Sequence, residues 1–384
     1  MKRFISIFAA LVLTACNIMT VYSYGAEKPD VSAKAAVLIS ADTGEVICAF
    51  NCNEKLPMAS TTKIMTTLLC IESGSLDKEF VVDSDAIKVE GSSMGLCEGD
   101  IVTKYALCCG MLLPSGNDAA NAAAVNIAGN IEAFAELMNQ RAKEMGLTNT
   151  FFVTPSGLEG EGHGSSALDM AMLAREALRN EVFRSICSQQ SIKLEFGAPP
   201  YQRWLKNTNK LLSMYDGVYG VKTGFTDEAG RCLVSACERS GKDLICVTLN
   251  DKNDWDDHMA LYDYGFDAVR RLDVQLPSEL SVDVVGGSSD KLPLIPEKAS
   301  LSVTSLAGNE DDISFTLLSA PFEYAPVHKG DKAGELRVSF MGREVEKIPL
   351  YAAEDIAVKT IKPKQHKKGI FAKAKEMLGS IFSR

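Results

Sequence analysis

Apolar residues run almost unbroken along residues 35–40 and again along 45–50, with Ala41-Asp42-Thr43-Gly44 between them. That pattern predicts two strands joined as a β-hairpin. From Ser60 onward the apolar positions shift to helical spacing through Ile64, Leu68 and Leu69. Alanine-rich, helix-patterned runs cover residues 119–128, 131–145 and 167–178, broken at Gly129-Asn130 and at Thr154-Pro155-Ser156-Gly157. They predict a helical subdomain. Strand character returns at residues 221–225, 231–237 and 244–249, with Ser240-Gly241-Lys242-Asp243 as the turn joining the last two. Beyond residue 277, short apolar stretches at 280–285, 299–306, 313–318 and 336–340 alternate with Gly, Asp and Pro turns, which predicts a small β-sandwich.

Both ends differ from this body. Lys2 and Arg3 precede an apolar run at residues 4–13, and Ser23, Gly25 and Ala26 place small residues for cleavage after Gly25 or Ala26. This is the pattern of an export signal. Leu13-Thr14-Ala15-Cys16 also resembles a lipoprotein box, in which Cys16 would be lipidated. The apolar core is shorter than the roughly 20 residues a membrane-spanning helix needs. At the other end, residues 362–384 hold seven basic residues and one acid, in a chain whose net charge is -10. Within them Ile370, Phe371, Ala374, Met377, Leu378, Ile381 and Phe382 recur on one helical face, with Lys367, Lys368, Lys373 and Lys375 flanking or opposing it. An amphipathic helix on an anionic membrane surface fits that pattern, and a helix docked on its own protein is the alternative.

Composition narrows the class. With 384 residues, 46% hydrophobic and 23% charged, the chain is globular and long enough for two domains plus terminal appendages. Of its 11 cysteines, Cys70, Cys108, Cys232 and Cys246 lie in apolar runs, where a thiol acts as a small hydrophobe; Cys48 and Cys52 form the one close pair able to bridge. His163, His258, His328 and His366 fall in unrelated contexts without metal-ligand spacing. No metal, cofactor or nucleic-acid partner is expected. A Ser-His-Asp triad also loses support, which leaves lysine as the natural base.

Three short segments carry the candidate chemistry. Ser60 opens a helix, where a serine usually caps; Lys63 lies one turn on and on the same face, within reach of the hydroxyl proton if burial lowers its pKa. Ser115-Gly116-Asn117 stands at the entrance to the helical subdomain after Leu112-Leu113-Pro114, as a cleft-facing loop or as a turn with a helix cap. Lys222-Thr223-Gly224 falls on a strand, and Gly224 would let a substrate approach the backbone closely. Together they supply a nucleophile, a base, a second serine and a cationic strand edge, the parts of a serine acyl-transfer site.

In this order and spacing the three segments resemble the penicillin-recognising serine enzymes. Residues 57–63, 114–120 and 220–226, and Thr154-Pro155-Ser156-Gly157-Leu158 with His163 following, are similar to the low-molecular-mass D-alanyl-D-alanine carboxypeptidases. The resemblance is close over residues 30–275 and extends to the overall layout. It implies an α+β fold: a β-lactamase/transpeptidase-like domain of antiparallel sheet, helices and helical subdomain, then a small β domain and a C-terminal amphipathic helix. The expected divisions are residues 1–26, 27–276, 277–361 and 362–384.

The resemblance also implies roles. Ser60 would attack the carbonyl between two D-alanines, Lys63 would act as base, and Ser115 would relay a proton to the leaving amine. Asn117 would bind substrate backbone, Lys222 would contribute positive charge, Thr223 would contact the terminal carboxylate, and Gly224 would line the site. The backbone amides of Ser60 and Phe225 would form the oxyanion hole. The implied partners are peptidoglycan stem peptides ending in D-Ala-D-Ala and β-lactams as inhibitors, at the outer face of the cytoplasmic membrane. The sequence departs from the family pattern once. No arginine occurs between Arg239 and Arg270, where family members often hold the substrate carboxylate; Asp254, Asp256 and Asp257 crowd that region, leaving Lys222, Thr223 or Lys252 for the task. A class A β-lactamase lacks support, because no Glu-x-x-Leu-Asn segment is found. A non-catalytic wall-binding protein of the same fold is the other alternative.

Overall fold

A computed structural model of the chain describes residues 27–360, which form two compact units. The first comprises residues 27–273 with 302–310, and the second residues 274–301 with 311 onward.

The first unit is built on a five-stranded antiparallel sheet in the order Val46–Phe50, Ala35–Ser40, Lys242–Leu249, Gly230–Arg239, Val218–Thr226. Side chains alternate across a strand, so each strand serves two cores. Ala35, Val37, Ile39, Val234, Ile245 and Val247 face the large core shared with the helical subdomain. Ala36, Leu38, Leu244 and Cys246 face Leu261 and Tyr262 of the helix Asp254–Ala268 on the other side. Burial on both faces is why these strands read as unbroken apolar runs rather than alternating ones. Ser240 and Gly241 both have positive φ (52° and 71°) in the tight turn between Gly230–Arg239 and Lys242–Leu249, the geometry that matches strand twist in a two-residue hairpin.

The expected helices stand at Asn117–Ala128, Ile131–Glu144 and Ala167–Leu178. The last two start at side-chain caps, Asn130 accepting from the Ala133 amide and Ser166 from the Asp169 amide. The nucleophile region is a short 3-10 turn, Ala59–Thr62, running into the helix Lys63–Glu72. Of that helix only Leu69 and Glu72 are not buried. Elements that were not anticipated include the helices Lys104–Leu112 and Asp254–Ala268 and the hairpin Ser191–Gly197 with Pro200–Lys206. Residues 302–310 belong with this unit, where the Thr304 amide donates to Asp42 (3.0 Å) and the Leu306 amide to Glu45 (2.9 Å).

The second unit contains one six-stranded mixed sheet, in the order Ile313–Leu318, Lys332–Phe340, Arg343–Ala352, Lys291–Pro296, Leu280–Val285, Phe322–Tyr324. Its strands alternate as a one-sided sheet should, with Val282, Val284, Leu292, Leu294, Leu336, Val338, Ile348 and Leu350 buried. The β-rich C-terminal domain expected from the sequence is present. Alternation marks a buried face but not which strand pairs with which. The export signal, Cys16 and the basic amphipathic segment at 362–384 lie outside the described residues. Cys48 and Cys52 are free thiols, and Cys70, Cys108, Cys232 and Cys246 are buried as expected of core residues.

Candidate active site

Ser60 follows Ala59, which is held at φ 48°, and its hydroxyl caps neither the 3-10 turn nor the helix. It meets Lys63 instead, whose Nζ lies 2.8 Å from Ser60 Oγ. Lys63 is fully buried, and Nζ also donates to Asn117 Oδ1 (2.7 Å) and to the Ser156 carbonyl (2.6 Å). As an ammonium, Nζ donates to all three oxygens; once neutral, it would keep its two hydrogens on Asn117 and Ser156 and have its lone pair free for the Ser60 hydroxyl. Burial, reinforced by the nearby Lys222 cation and only partly offset by Asp118, pushes the Lys63 pKa well below the ordinary lysine value. A lysine so placed is poised as a base.

The Ser156 carbonyl is supplied by a loop locked to the nucleophile turn. The Val153 amide donates to His163 Nδ1 (2.9 Å), so the ring carries its proton on Nε2 and donates it to Thr62 Oγ1 (2.9 Å), which in turn donates to the Ala59 carbonyl (2.8 Å). Burial lowers the His163 pKa to about 4 and keeps the ring neutral. His163 therefore belongs to the site's scaffold. Gly157 permits the loop's close approach: its φ is +87°, and a Cβ there would fall 2.0 Å from the Ala59 carbonyl oxygen.

Ser115 sits at φ 66° with 6% exposure and lines the same cleft as Ser60. Asn117 is placed less freely than the sequence reading expected. Its Oδ1 receives Lys63, and its Nδ2 donates one hydrogen to the Glu90 carbonyl (2.7 Å), which leaves one Nδ2 hydrogen and one Oδ1 lone pair. Asp118, a residue the sequence reading did not single out, accepts from the Met94, Gly95 and Leu96 amides (2.9, 3.0 and 3.0 Å) and folds the loop at residues 92–96 against this segment. A carboxylate at the start of a helix, beside main-chain amides, is the signal that marks it.

Lys222-Thr223-Gly224 lies on Val218–Thr226, the edge strand of the sheet, with its outer edge free of any strand partner among the described residues. A Cβ on Gly224 would lie 3.1 Å from Met58 O, Ser60 N and Ala59 Cβ, so the glycine lets this strand close on the nucleophile turn. Lys222 is 1% exposed, donates to the Thr223 carbonyl (2.7 Å), and is pushed down to about 7 by burial. Thr223 Oγ1 is 2.7 Å from Thr208 Oγ1. Neither lysine makes a salt bridge of 4.0 Å or less with a carboxylate among the described residues.

The cleft bounded by Ser60, Ser115, Thr223, Gly224 and Phe225 encloses about 340 Å³. Lys252 is exposed and does not line it; Thr208, Lys210 and Arg231 do. Arg231 precedes Arg239 and so lies upstream of the stretch in which the family's arginine falls. Pairing the strands across the turn at residues 227–229 would have placed it opposite Phe225. Among the described residues no three His, Cys, Asp or Glu side chains gather as metal ligands would.

Comparison with known proteins agrees with this geometry. Residues 23–253 match the family model for D-alanyl-D-alanine carboxypeptidase, and residues 277–358 that for the penicillin-binding protein 5 C-terminal domain. The chain is 34% identical to D-alanyl-D-alanine carboxypeptidase DacF of Bacillus subtilis over 336 residues, covering 84% of this chain and 86% of that protein. It is 33% identical to DacC of Escherichia coli, covering 86% of each. Among solved structures, penicillin-binding protein 5 of Haemophilus influenzae superposes with a TM-score of 0.61 at 26% identity, over 86% of this chain and 98% of that one. The Streptomyces K15 DD-transpeptidase superposes with a TM-score of 0.60 at 30% identity, over 62% of this chain and 98% of that one. The lysine-gripped serine and the edge strand beside it therefore sit in a mixed α/β penicillin-binding-protein fold with a C-terminal β domain, and the chain belongs to the D-alanyl-D-alanine carboxypeptidase family.

Proposed function

We propose that this protein removes the terminal D-alanine from peptidoglycan stem peptides ending in D-Ala-D-Ala, through an acyl-serine intermediate that β-lactams trap. The observation that carries the reading is Lys63 Nζ, 2.8 Å from Ser60 Oγ with its two other positions bound to fixed acceptors. In acylation Ser60 Oγ bonds to the carbonyl carbon of the penultimate D-alanine while Lys63 takes the hydroxyl proton. The amides of Ser60 and Phe225 hold the oxyanion, a contribution worth roughly 10²- to 10³-fold per donor. The C–N bond then breaks, and the departing amine receives a proton through Ser115. Water, deprotonated in turn by Lys63, opens the ester and restores the serine. Lys222, Thr223 and Gly224 bind the substrate along the edge strand, and Asn117 binds the substrate backbone as well as orienting Lys63.

Free D-alanine is expected from a stem pentapeptide ending in D-Ala-D-Ala and none from its counterpart ending in L-alanine; a folded protein that releases D-alanine from neither contradicts the proposal. The pH profile follows from the two buried lysines. Lys63 must be neutral and Lys222 charged, so kcat/KM rises as Lys63 deprotonates and falls as Lys222 does, with the falling limb of the free enzyme near pH 7. Stability has the opposite slope there. Lys222 binds fewer protons folded than unfolded between about 7 and the usual lysine value of 10.5, so its contribution to stability grows as pH rises through that window. Denaturant melts at pH 7 and at about pH 8.5, below the range where ordinary thiols fully ionise, should show a larger gain in wild type than in Lys222→Met.

We further propose export to the outer face of the cytoplasmic membrane. Residues 27–276 would carry the chemistry, 277–361 would act as a spacer, and 362–384 would form a basic amphipathic anchor. Supporting this reading are the charge contrast of the tail and the apolar stripe within it. Removal of residues 362–384 is expected to abolish co-sedimentation with anionic phosphatidylglycerol vesicles and to leave penicillin acylation unchanged; undiminished co-sedimentation contradicts the anchor.

A further inference from the structure

We propose that Arg231, held in place by Asp254, is the group that receives the free C-terminal carboxylate of the substrate. The inference rests on the carboxypeptidase reading and assigns a residue that neither its motifs nor its spacing point to. Arg231 stands directly opposite Phe225 in the edge hairpin. Opposed residues of an antiparallel pair share a face, and Thr223 lies two residues from Phe225 on that same face. All three line the cleft that Ser60 opens into. Gly224 and Cys232, on the opposite face, meet the nucleophile turn, and the face of Arg231 packs the helix Asp254–Ala268; at the open edge of the sheet the arginine nonetheless borders the cleft.

The ion pair itself is lopsided. The side chain of Asp254 is 4% exposed and that of Arg231 42%, so the carboxylate is sunk beneath a guanidinium that remains open to the cleft. Asp254 Oδ1 accepts from both Nε (3.0 Å) and Nη2 (2.5 Å) of Arg231. That occupies one edge of the guanidinium and leaves the Nη1/Nη2 edge, which has the fork geometry for a second, bidentate carboxylate. Trp255 bounds the group on another side, its ring centre 5.4 Å from the guanidinium carbon. Asp254 opens the helix Asp254–Ala268, where a negative charge is favoured, so the orienting anion is itself fixed by the fold. Asp254 thus acts as a positioning residue, the one acid of the three at this helix start that touches Arg231.

The test uses the full-length protein and two acylating agents, benzylpenicillin with its free carboxylate and benzylpenicillin methyl ester. Wild type is expected to be acylated faster by the acid than by the ester. Arg231→Gln should slow acylation by the acid roughly 10- to 100-fold, the size of a lost charge-assisted contact, while the ester rate stays within about threefold. Arg231→Lys, which keeps the charge without the fork, should fall between the two and guards against misfolding of the glutamine variant. Equal slowing of acid and ester in both variants, or no change with either agent, overturns the assignment and leaves the pair structural. Failure of wild type to react with either agent is a separate result, which removes the acyl-serine reading and the inference with it.

Discussion

Replacing Lys63 with methionine is expected to lower penicillin acylation by roughly 10²- to 10⁴-fold, the range that a positioned base contributes. The methionine fills a similar volume and cannot take a proton. It also leaves Asn117 Oδ1 and the Ser156 carbonyl without the donor each now has, at about 1–3 kcal/mol for each unsatisfied group, offset by relief of burying an amine. Stopped-flow acylation and thermal melts on the same preparations separate the two effects. Lys63→Arg makes the sharper comparison. Arginine restores hydrogen-bond donors and a positive charge but cannot be deprotonated in a protein. An arginine variant that retains acylation would show that Lys63 acts by charge alone, and the assignment of the base would fail.

The second large effect is expected at a residue that bears no functional group. Gly157→Ala puts a methyl 2.0 Å from the Ala59 carbonyl oxygen and 2.5 Å from its carbon, both backbone atoms, at a φ of +87°. The left-handed conformation alone costs roughly 1–2 kcal/mol for a residue with a Cβ. The clash adds to that, because neither neighbour is a flexible side chain. Either the Ala59-Ser60 segment moves or the loop bearing the Ser156 carbonyl does, and both movements disturb the grip on Lys63. Displacing reacting groups by about 1 Å can cost on the order of 10²-fold in rate, so acylation should fall along with the melting temperature. Gly162→Ala provides the comparison. Its φ is +82°, but the nearest atom to a Cβ is Phe151 Cδ1 at 3.7 Å, so it carries the conformational cost without the clash. If both variants lose activity equally, the close approach of the loop is not what sustains the site.

Much of this arrangement is legible in the sequence, for reasons that differ by element. The helices at Asn117–Ala128, Ile131–Glu144 and Ala167–Leu178 declare themselves by periodicity and by Gly129-Asn130 between the first two. Ser60 and Lys63 declare themselves by spacing, since three residues in a helical turn bring two side chains to one face. The helix Lys104–Leu112 is silent because seven of its nine residues are buried, so it has no polar stripe to set the period. Asp254–Ala268 hides its start behind Asp254, Asp256 and Asp257, which resemble a loop in sequence but suit a helix N-terminus.

The part of the site that sequence reading missed is held by backbone groups and by strand register. Nothing in the identity of Ser156 says that its carbonyl will meet Lys63, and His163 is tied to Thr62 across about a hundred residues of chain. Asn117 shows the converse. Its place beside Lys63 was legible, but the claim of the Glu90 carbonyl on one of its amide hydrogens was not. Arg231 depends on register alone. A residue becomes the neighbour of Phe225 only once the hairpin is paired, and a search along the chain passes over it.

The central claim is that Ser60 is the nucleophile. Its most direct test is labelling of the purified protein with a fluorescent penicillin, wild type beside Ser60→Ala, followed by mass mapping of the adduct. The account predicts one adduct in wild type, on the peptide containing Ser60, and none in a folded Ser60→Ala. Labelling that persists in the alanine variant, or its absence from folded wild type, would contradict the acyl-serine mechanism.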